Sequence, residues 1–221
     1  VKCFNGSDGA ISITLGGGTS PYTVAWTGPN GPAGTGTTIS NLKGGLYSPV
    51  VTDSKGCTQG PPQPINVQTP AQGISVANSV TSNVICLGTN TGQAAASVAT
   101  GGTPPFNYLW RNTQTNATAN PLALGCGTYN VTVTDNLGCT ASGTPVTVQC
   151  PTAALTASVT DKKDATCGNT GSISLSVSGG WNNPTVSWTG PNGYTGSGSN
   201  ITGLGSGTYT ATVVDQGGCN T

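Results

Sequence analysis

Apolar and polar residues alternate with period two along the chain, in short bursts separated by Gly, Pro and Asn. Ile11, Ile13 and Leu15 fall on one side of an extended segment, with Ser12 and Thr14 on the other. Tyr22, Val24 and Trp26 form a second one-sided set, with a counterpart in Phe106, Tyr108 and Trp110. Tyr129, Val131 and Val133 form a third, with a counterpart in Tyr209, Ala211 and Val213. Strands with one apolar and one polar face predict an all-β chain folded as two-sheet sandwiches. Pro49 interrupts the matching strand near the start of the chain and predicts an edge or a bulge there. The turns are legible too. Gly28-Pro29-Asn30-Gly31 and Gly190-Pro191-Asn192-Gly193 place Pro, Asn and Gly where tight turns need them. Asp53, Asp135 and Asp215 each open a D-x-x-G turn in which the side chain can bond the backbone ahead.

These bursts recur as a unit. Cys3, Trp26, Leu42, Tyr47 and Cys57 reappear in order as Cys86, Trp110, Leu124, Tyr129 and Cys139, then as Cys167, Trp188, Leu204, Tyr209 and Cys219. The three tyrosines are 82 and 80 residues apart, a spacing that marks an array of similar domains. The expected modules are 1–70, 71–151 and 152–221. The L-x4-Y spacing before each third strand resembles the tyrosine corner of immunoglobulin-like and fibronectin-like sandwiches. Further strands are expected outside the cysteine-bounded cores. Pro64–Val67 and Pro145–Val148 trail the first two, and Ile74–Val76 and Leu155–Val159 lead the second and third. On this reading module 1–70 lacks a leading strand and module 152–221 a trailing one.

Charge narrows the function classes. Six Lys or Arg face six Asp, with no Glu and no His, so the charged fraction is 5% where about a quarter is usual. This excludes the basic footprint of a nucleic-acid binder. General acid–base chemistry has few candidates, and abundant Ser and Thr have no base to activate them, so the chain is expected not to be an enzyme. No apolar run is long enough to span a membrane as a helix. The chain opens on Val1 without Met or signal peptide, which reads as a mature or excised piece.

Eight cysteines with no His and no C-x-x-C pair argue for disulfides and an oxidising compartment rather than zinc. Within each repeat the two cysteines are 54, 53 and 52 residues apart. The simplest pairing is therefore Cys3–Cys57, Cys86–Cys139 and Cys167–Cys219, each worth about 4 kcal/mol on a chain-entropy argument. Cys126 and Cys150 are left to pair with each other. No cofactor is expected and no metal site is assigned. Asp8 and Asp53 would approach only if Cys3 and Cys57 are joined, and turn capping accounts for Asp53 without calcium.

The combined motif C-x-x-G-x-x-G-x-I, G-G-T-x-P-Y-x-x-x-W and L-x-x-G-x-Y-x-V-x-V-x-D-x-x-G-C resembles the repeats of the gliding-motility adhesin SprB and other giant surface proteins of Bacteroidetes-like bacteria. The resemblance implies extracellular, cell-surface modules that build stalks and filaments.

Two functions follow as expectations. The first is a structural one, a surface fibre or adhesin stalk whose partners are copies of itself or adjacent repeats, with missing edge strands supplied by neighbours. The second is an adhesin array that binds surface glycans through variable loops. Trp26, Trp110 and Trp188 alternate with core positions and read as packing. Trp181, in the G-G-W-N-N-P loop, is the one aromatic to test as a ligand contact, though a loop anchor packed on the sandwich is the favoured reading. Asn5, Asn116, Asn130 and Asn200 stand in N-x-S/T triplets that a Thr-rich chain produces by chance. Asp161-Lys162-Lys163-Asp164 reads as a solvated run.

Overall fold

A computed structural model describes residues 1–61 and 63–221. In the first repeat the alternating runs become β1 (Gly9–Ser12), β2 (Thr23–Gly28), β3 (Gly31–Thr35), β4 (Thr38–Leu42), β5 (Gly45–Thr52), β6 (Thr58–Gln59) and β7 (Ile65–Val67). β1 pairs antiparallel with β4 in one layer. The other layer runs β3-β2-β5-β6, with β7 also on β5. Ile11, Val24, Trp26, Ile39, Leu42, Tyr47 and Val67 are buried between them as one core. The period-two reading of β1 and β2 holds at each residue: Ile11, Val24 and Trp26 are buried while Ser12, Thr23 and Ala25 are exposed.

Pro49 lies in neither an edge strand nor a bulge. β5 is internal, with β2 along one flank and Pro49 in register opposite Trp26. On the other flank β7 covers Gly45 to Tyr47 and β6 covers Val51 and Thr52. Ser48 to Val50 face the gap between those two short strands, where a missing N–H costs no ladder bond.

The second repeat supplies β8 (Asn78–Ser82), β9 (Gln93–Ala96), β10 (Asn107–Asn112), β11 (Gly127–Thr134), β12 (Thr140–Ser142) and β13 (Val146–Val148). β8 pairs with β9, and β11 carries both β12 and β13. Its leading strand begins later than the sequence pattern suggests: Ser75 makes one bridge to Thr100, and the strand proper is β8. The Phe106, Tyr108, Trp110 set is also uneven, since Trp110 is buried and Tyr108 exposed. The phenol oxygen of Tyr108 accepts from Ala99 N–H at 2.9 Å.

The third repeat supplies β14 (Thr156–Lys163), β15 (Gly171–Ser178), β16 (Thr185–Thr189), β17 (Thr195–Ser197), β18 (Asn200–Leu204) and β19 (Thr210–Val214). The layers are β14-β15-β18 and β17-β16-β19. Every residue of β14 is exposed, and its far end carries the charged run with a surface ion pair, Lys162 to Asp164 at 3.0 Å. Lysines on an edge strand discourage unwanted pairing.

By compactness the chain divides into two units. One holds Val1–Ala77, Ser97–Tyr108 and Thr132–Gly143; the other holds Asn78–Ala96, Leu109–Val131 and Thr144–Thr221. The second repeat contributes to both.

Candidate functional site

Three devices recur in register along the repeats. The first is the tyrosine corner. Tyr47, Tyr129 and Tyr209 each donate a hydroxyl proton to the carbonyl four residues upstream, on Lys43 at 3.0 Å, Gly125 at 3.2 Å and Gly205 at 3.3 Å. Behind them Trp26, Trp110 and Trp188 are no more than 5% exposed, so these indoles are core, with no face for a ligand.

The second device is a carboxylate latch. Asp53 Oδ1 accepts from the N–H of Lys55 and Cys57, both at 2.9 Å, and its Oδ2 accepts from Thr19 N–H at 3.1 Å. Asp135 repeats this with Leu137, Cys139 and Thr103 at 2.9, 2.8 and 2.9 Å. Asp215 accepts from Cys219 at 2.9 Å and from Trp181 at 2.7 Å. The far N–H always follows a Gly-Gly pair in left-handed conformation, as at Gly101 (φ 68°) and Gly102 (φ 64°). A Cβ on Gly102 would stand 3.0 Å from the Asp135 carboxylate, so side-chain-free residues are needed on both counts. Each latch therefore clamps two loops together and fixes the position of the cysteine four residues on.

The N–H groups hold the Asp53 carboxyl below its ordinary value of 3.8, Cys57 N–H foremost, against a smaller opposing effect of desolvation. At Asp135 desolvation pushes upward, but donation from Thr103, Cys139, Leu137 and Gly138 outweighs it, and the net shift is again downward. Both groups bind a proton less readily folded than unfolded. Their stabilisation is thus complete above the unfolded value and is lost as pH falls through the lower folded values. The melting temperature should stay level at mildly acidic pH and drop below about pH 4. Asp135→Asn should flatten that drop while lowering stability at neutral pH. Identical acid profiles for the variant and the parent would remove the latch from the account.

The third device is the disulfides, and they correct the expected pairing. Cys3 is joined to Cys139 and Cys86 to Cys219, with Cα–Cα distances of 5.5 and 5.1 Å. Cys126 pairs with Cys150 as the sequence suggests. Among the described residues Cys57 and Cys167 are unpaired and exposed. The pairings Cys3–Cys57, Cys86–Cys139 and Cys167–Cys219 are excluded by strand length. Val1 N–H donates to Gln68, just past β7, and β7 pairs with the Gly45 end of β5. Cys57 instead follows the Thr52 end, on the Asp53 latch. The two cysteines of a repeat are thus separated by the length of an eight-residue strand, roughly 23 Å at about 3.3 Å per residue. A disulfide tolerates about 4.4–6.8 Å between Cα atoms. Asp8 and Asp53 are separated in the same way, and Asp8 instead accepts from Lys2 N–H at 3.1 Å.

Each long disulfide therefore runs from the opening cysteine of one repeat to the latch cysteine of the next. Around Cys3–Cys139 the Phe4 ring lies against Gly73 in the connecting segment. Beside Cys86–Cys219, Trp181 donates its indole proton to the Val84 carbonyl at 2.9 Å. Trp181 is half-buried and lines a cleft of about 380 Å³ with Ser82, Asn83, Val84, Ile85, Asn182, Gln216 and Gly217. Two of the glycosylation triplets have local backbone roles, because Asn5 and Asn116 adopt positive φ (58° and 56°) in turns.

Tyrosine corner, buried Trp and two packed antiparallel layers define an all-β protein of tandem immunoglobulin-like sandwiches. Residues 1–31 and 78–115 match the SprB repeat family. Among solved structures the chain is similar to extracellular domains 3–5 of Drosophila OTK, with 12% identity and a TM-score of 0.32 over 98% of this chain and 91% of that one. It is similar to three N-terminal domains of the bacteriophage RB49 highly immunogenic outer capsid protein, with 16% identity and a TM-score of 0.39 over 98% and 82%. A third likeness is to the N-terminal eight immunoglobulin domains of Down syndrome cell adhesion molecule, with 13% identity and a TM-score of 0.26 over 97% and 34%. No curated protein matches the sequence.

Proposed function

We propose that the chain is a non-catalytic structural segment of an extracellular bacterial surface fibre or adhesin stalk. The observation that carries the reading is the direction of the disulfides. A staple closed within each repeat would leave the connecting segments to carry a load alone. Cys3–Cys139 and Cys86–Cys219 instead tie successive repeats together, so a pull along the chain loads a covalent link in parallel with the connecting segment. Exposed surface with almost no charge suits close self-packing.

Strand addition is part of this proposal. β8 covers β9 and β14 covers β15, whereas among the described residues β1 pairs with β4 alone. At the other end, β7 places Val67 over Gly9 and β13 places Val148 over Gly92. The matching Gly171 pairs with Leu204 and borders an open groove of about 270 Å³, also lined by Ala165, Gly207 and Tyr209. A neighbour's strand of the Ile-Asn-Val or Val-Thr-Val kind fits such a groove by main-chain pairing and one buried valine.

Electron microscopy of unreduced native material from cell surfaces tests the reading. Filaments with an axial repeat of three modules are expected, and lone beads would overturn it. The alternative, glycan binding, draws on the cleft beside Trp181, whose Asn83, Asn182 and Gln216 amides are of the kind that bond sugar hydroxyls. Retention on a glycan array that Trp181→Ala abolishes would favour it.

A further inference from the structure

The two unpaired cysteines are not alike, and each is the counterpart of a paired one. Cys57 follows the Asp53 latch as Cys139 follows that of Asp135 and Cys219 that of Asp215. Cys167 opens the third repeat as Cys3 opens the first and Cys86 the second. Both inter-repeat disulfides join an opening cysteine to the next repeat's latch cysteine. Applied once more, the same rule makes Cys167 the partner of a latch cysteine in a following repeat. It makes Cys57 the partner of an opening cysteine in a preceding one.

A second feature points to the same partner. The groove bordered by Gly171, Leu204, Gly207 and Tyr209 also includes Lys163, Asp164 and Ala165, two to four residues before Cys167. In the first and second repeats the equivalent surface is covered by β7 and β13, and each of those strands leads into the segment that brings the next repeat and its latch. Groove and thiol thus lie at one end of the third repeat, and the partner they fit together is another repeat of this type. With six positive and six negative side chains, two copies carry no net charge to keep them apart.

We propose that Cys167 forms a disulfide with the latch cysteine of a following repeat of this type, and Cys57 with the opening cysteine of a preceding one; a second copy of this chain presents both cysteines and can supply either partner. The result is a run of repeats each stapled to the next, which deepens the fibre reading and rests on it. The chemistry balances with a small disulfide such as oxidised glutathione as oxidant. A cysteine thiolate, having lost its proton to water, attacks one sulfur of the oxidant and expels a glutathione thiolate. The other cysteine thiolate then attacks the mixed disulfide at the protein sulfur and expels the second glutathione. Two protein thiols and one oxidised glutathione give one protein disulfide and two reduced glutathiones.

The test uses the 221-residue chain with its three disulfides intact, incubated with oxidised glutathione and run without reductant. A ladder of multimers is expected that dithiothreitol collapses, with peptides joining Cys57 to Cys167 in a non-reducing digest. Cys57→Ser and Cys167→Ser should each remain monomeric alone, and an equal mixture of the two should stop at dimer. Symmetric Cys57–Cys57 or Cys167–Cys167 links, or monomers merely capped by glutathione, would overturn the proposal. Micrographs of the double serine variant separate the two ideas. Filaments in that variant, together with no Cys57–Cys167 link in the parent, would leave the fibre and remove its covalent joint.

Discussion

Replacing Cys86 and Cys219 by serine should lower the stability of the third repeat by about 4–5 kcal/mol, more than any other change to the cysteines of this chain except loss of Cys3–Cys139. The reason is loop size. Cys86 and Cys219 are 133 residues apart and Cys3 and Cys139 are 136 apart, whereas Cys126–Cys150 closes a span of 24. The entropy withheld from the unfolded chain grows with the logarithm of that span, so the short bridge is worth about 3.5 kcal/mol. Thermal melts of the two double-serine variants, Cys86/Cys219 and Cys126/Cys150, should rank in that order. A non-reducing peptic digest of the parent chain supplies the complementary reading: Cys86 should be recovered linked to Cys219. Recovery linked to Cys139 would replace the inter-repeat staple with one inside a repeat, and the mechanical reading would go with it.

That outcome turns on the point at which sequence reasoning failed. Strands, turns and the tyrosine corner are legible because each rests on a local rule. Period-two alternation reports the buried face of β2 directly. L-x4-Y reports a hydroxyl bond to a carbonyl four residues back, and D-x-x-G reports an Asp that bonds Cys57 N–H. None of these needs knowledge of which strand lies beside which. Disulfide pairing does. Spacings of 52 to 54 residues look like the two ends of one staple, yet they hold equally for two residues at opposite ends of β5. One signal in the sequence did bear on this. The opening cysteine lies six residues before β1, and the latch cysteine lies five residues past the end of β5, so tracing strand directions puts them at opposite ends of the sandwich.

The settings of Pro49 and Trp181 lie beyond local rules for a related reason. Proline predicts that a ladder bond is missing, but not that β6 and β7 would be too short to meet across it. The G-G-W loop is recognisable as an exception to the G-G-T pattern. What its indole touches, the Val84 carbonyl 97 residues away, depends on how consecutive repeats meet, and no period within a repeat encodes that.

The largest effect of a single substitution is expected at Trp188, where Trp188→Ala should cost about 3–5 kcal/mol. Trp188 is 3% exposed and packs with Ile201 and Leu204, flanked by Ile173, Leu175, Val186, Tyr194, Tyr209 and Ala211. Truncation leaves a cavity lined by residues of both layers, held open by the strand pairs of β16 with β17 and β19. It also strands the Gly198 carbonyl, which accepts the indole proton at 3.0 Å. Trp188→Phe separates the two contributions. It keeps an aromatic ring in the core, loses the hydrogen bond and part of the volume, and should cost about 1–3 kcal/mol. Tyr194 and Tyr209 meet edge to face at 5.2 Å beside the site, so their near-ultraviolet dichroism reports whether the core has loosened. Hydrogen exchange localises the loss. Amides of β16 and β19 should lose protection by about two orders of magnitude or more in Trp188→Ala, while those of β2 and β5 in the first repeat keep theirs. A uniform loss along the chain would mean that the repeats unfold as one cooperative body. A loss below about 1 kcal/mol would mean that Trp188 is not the keystone of its core.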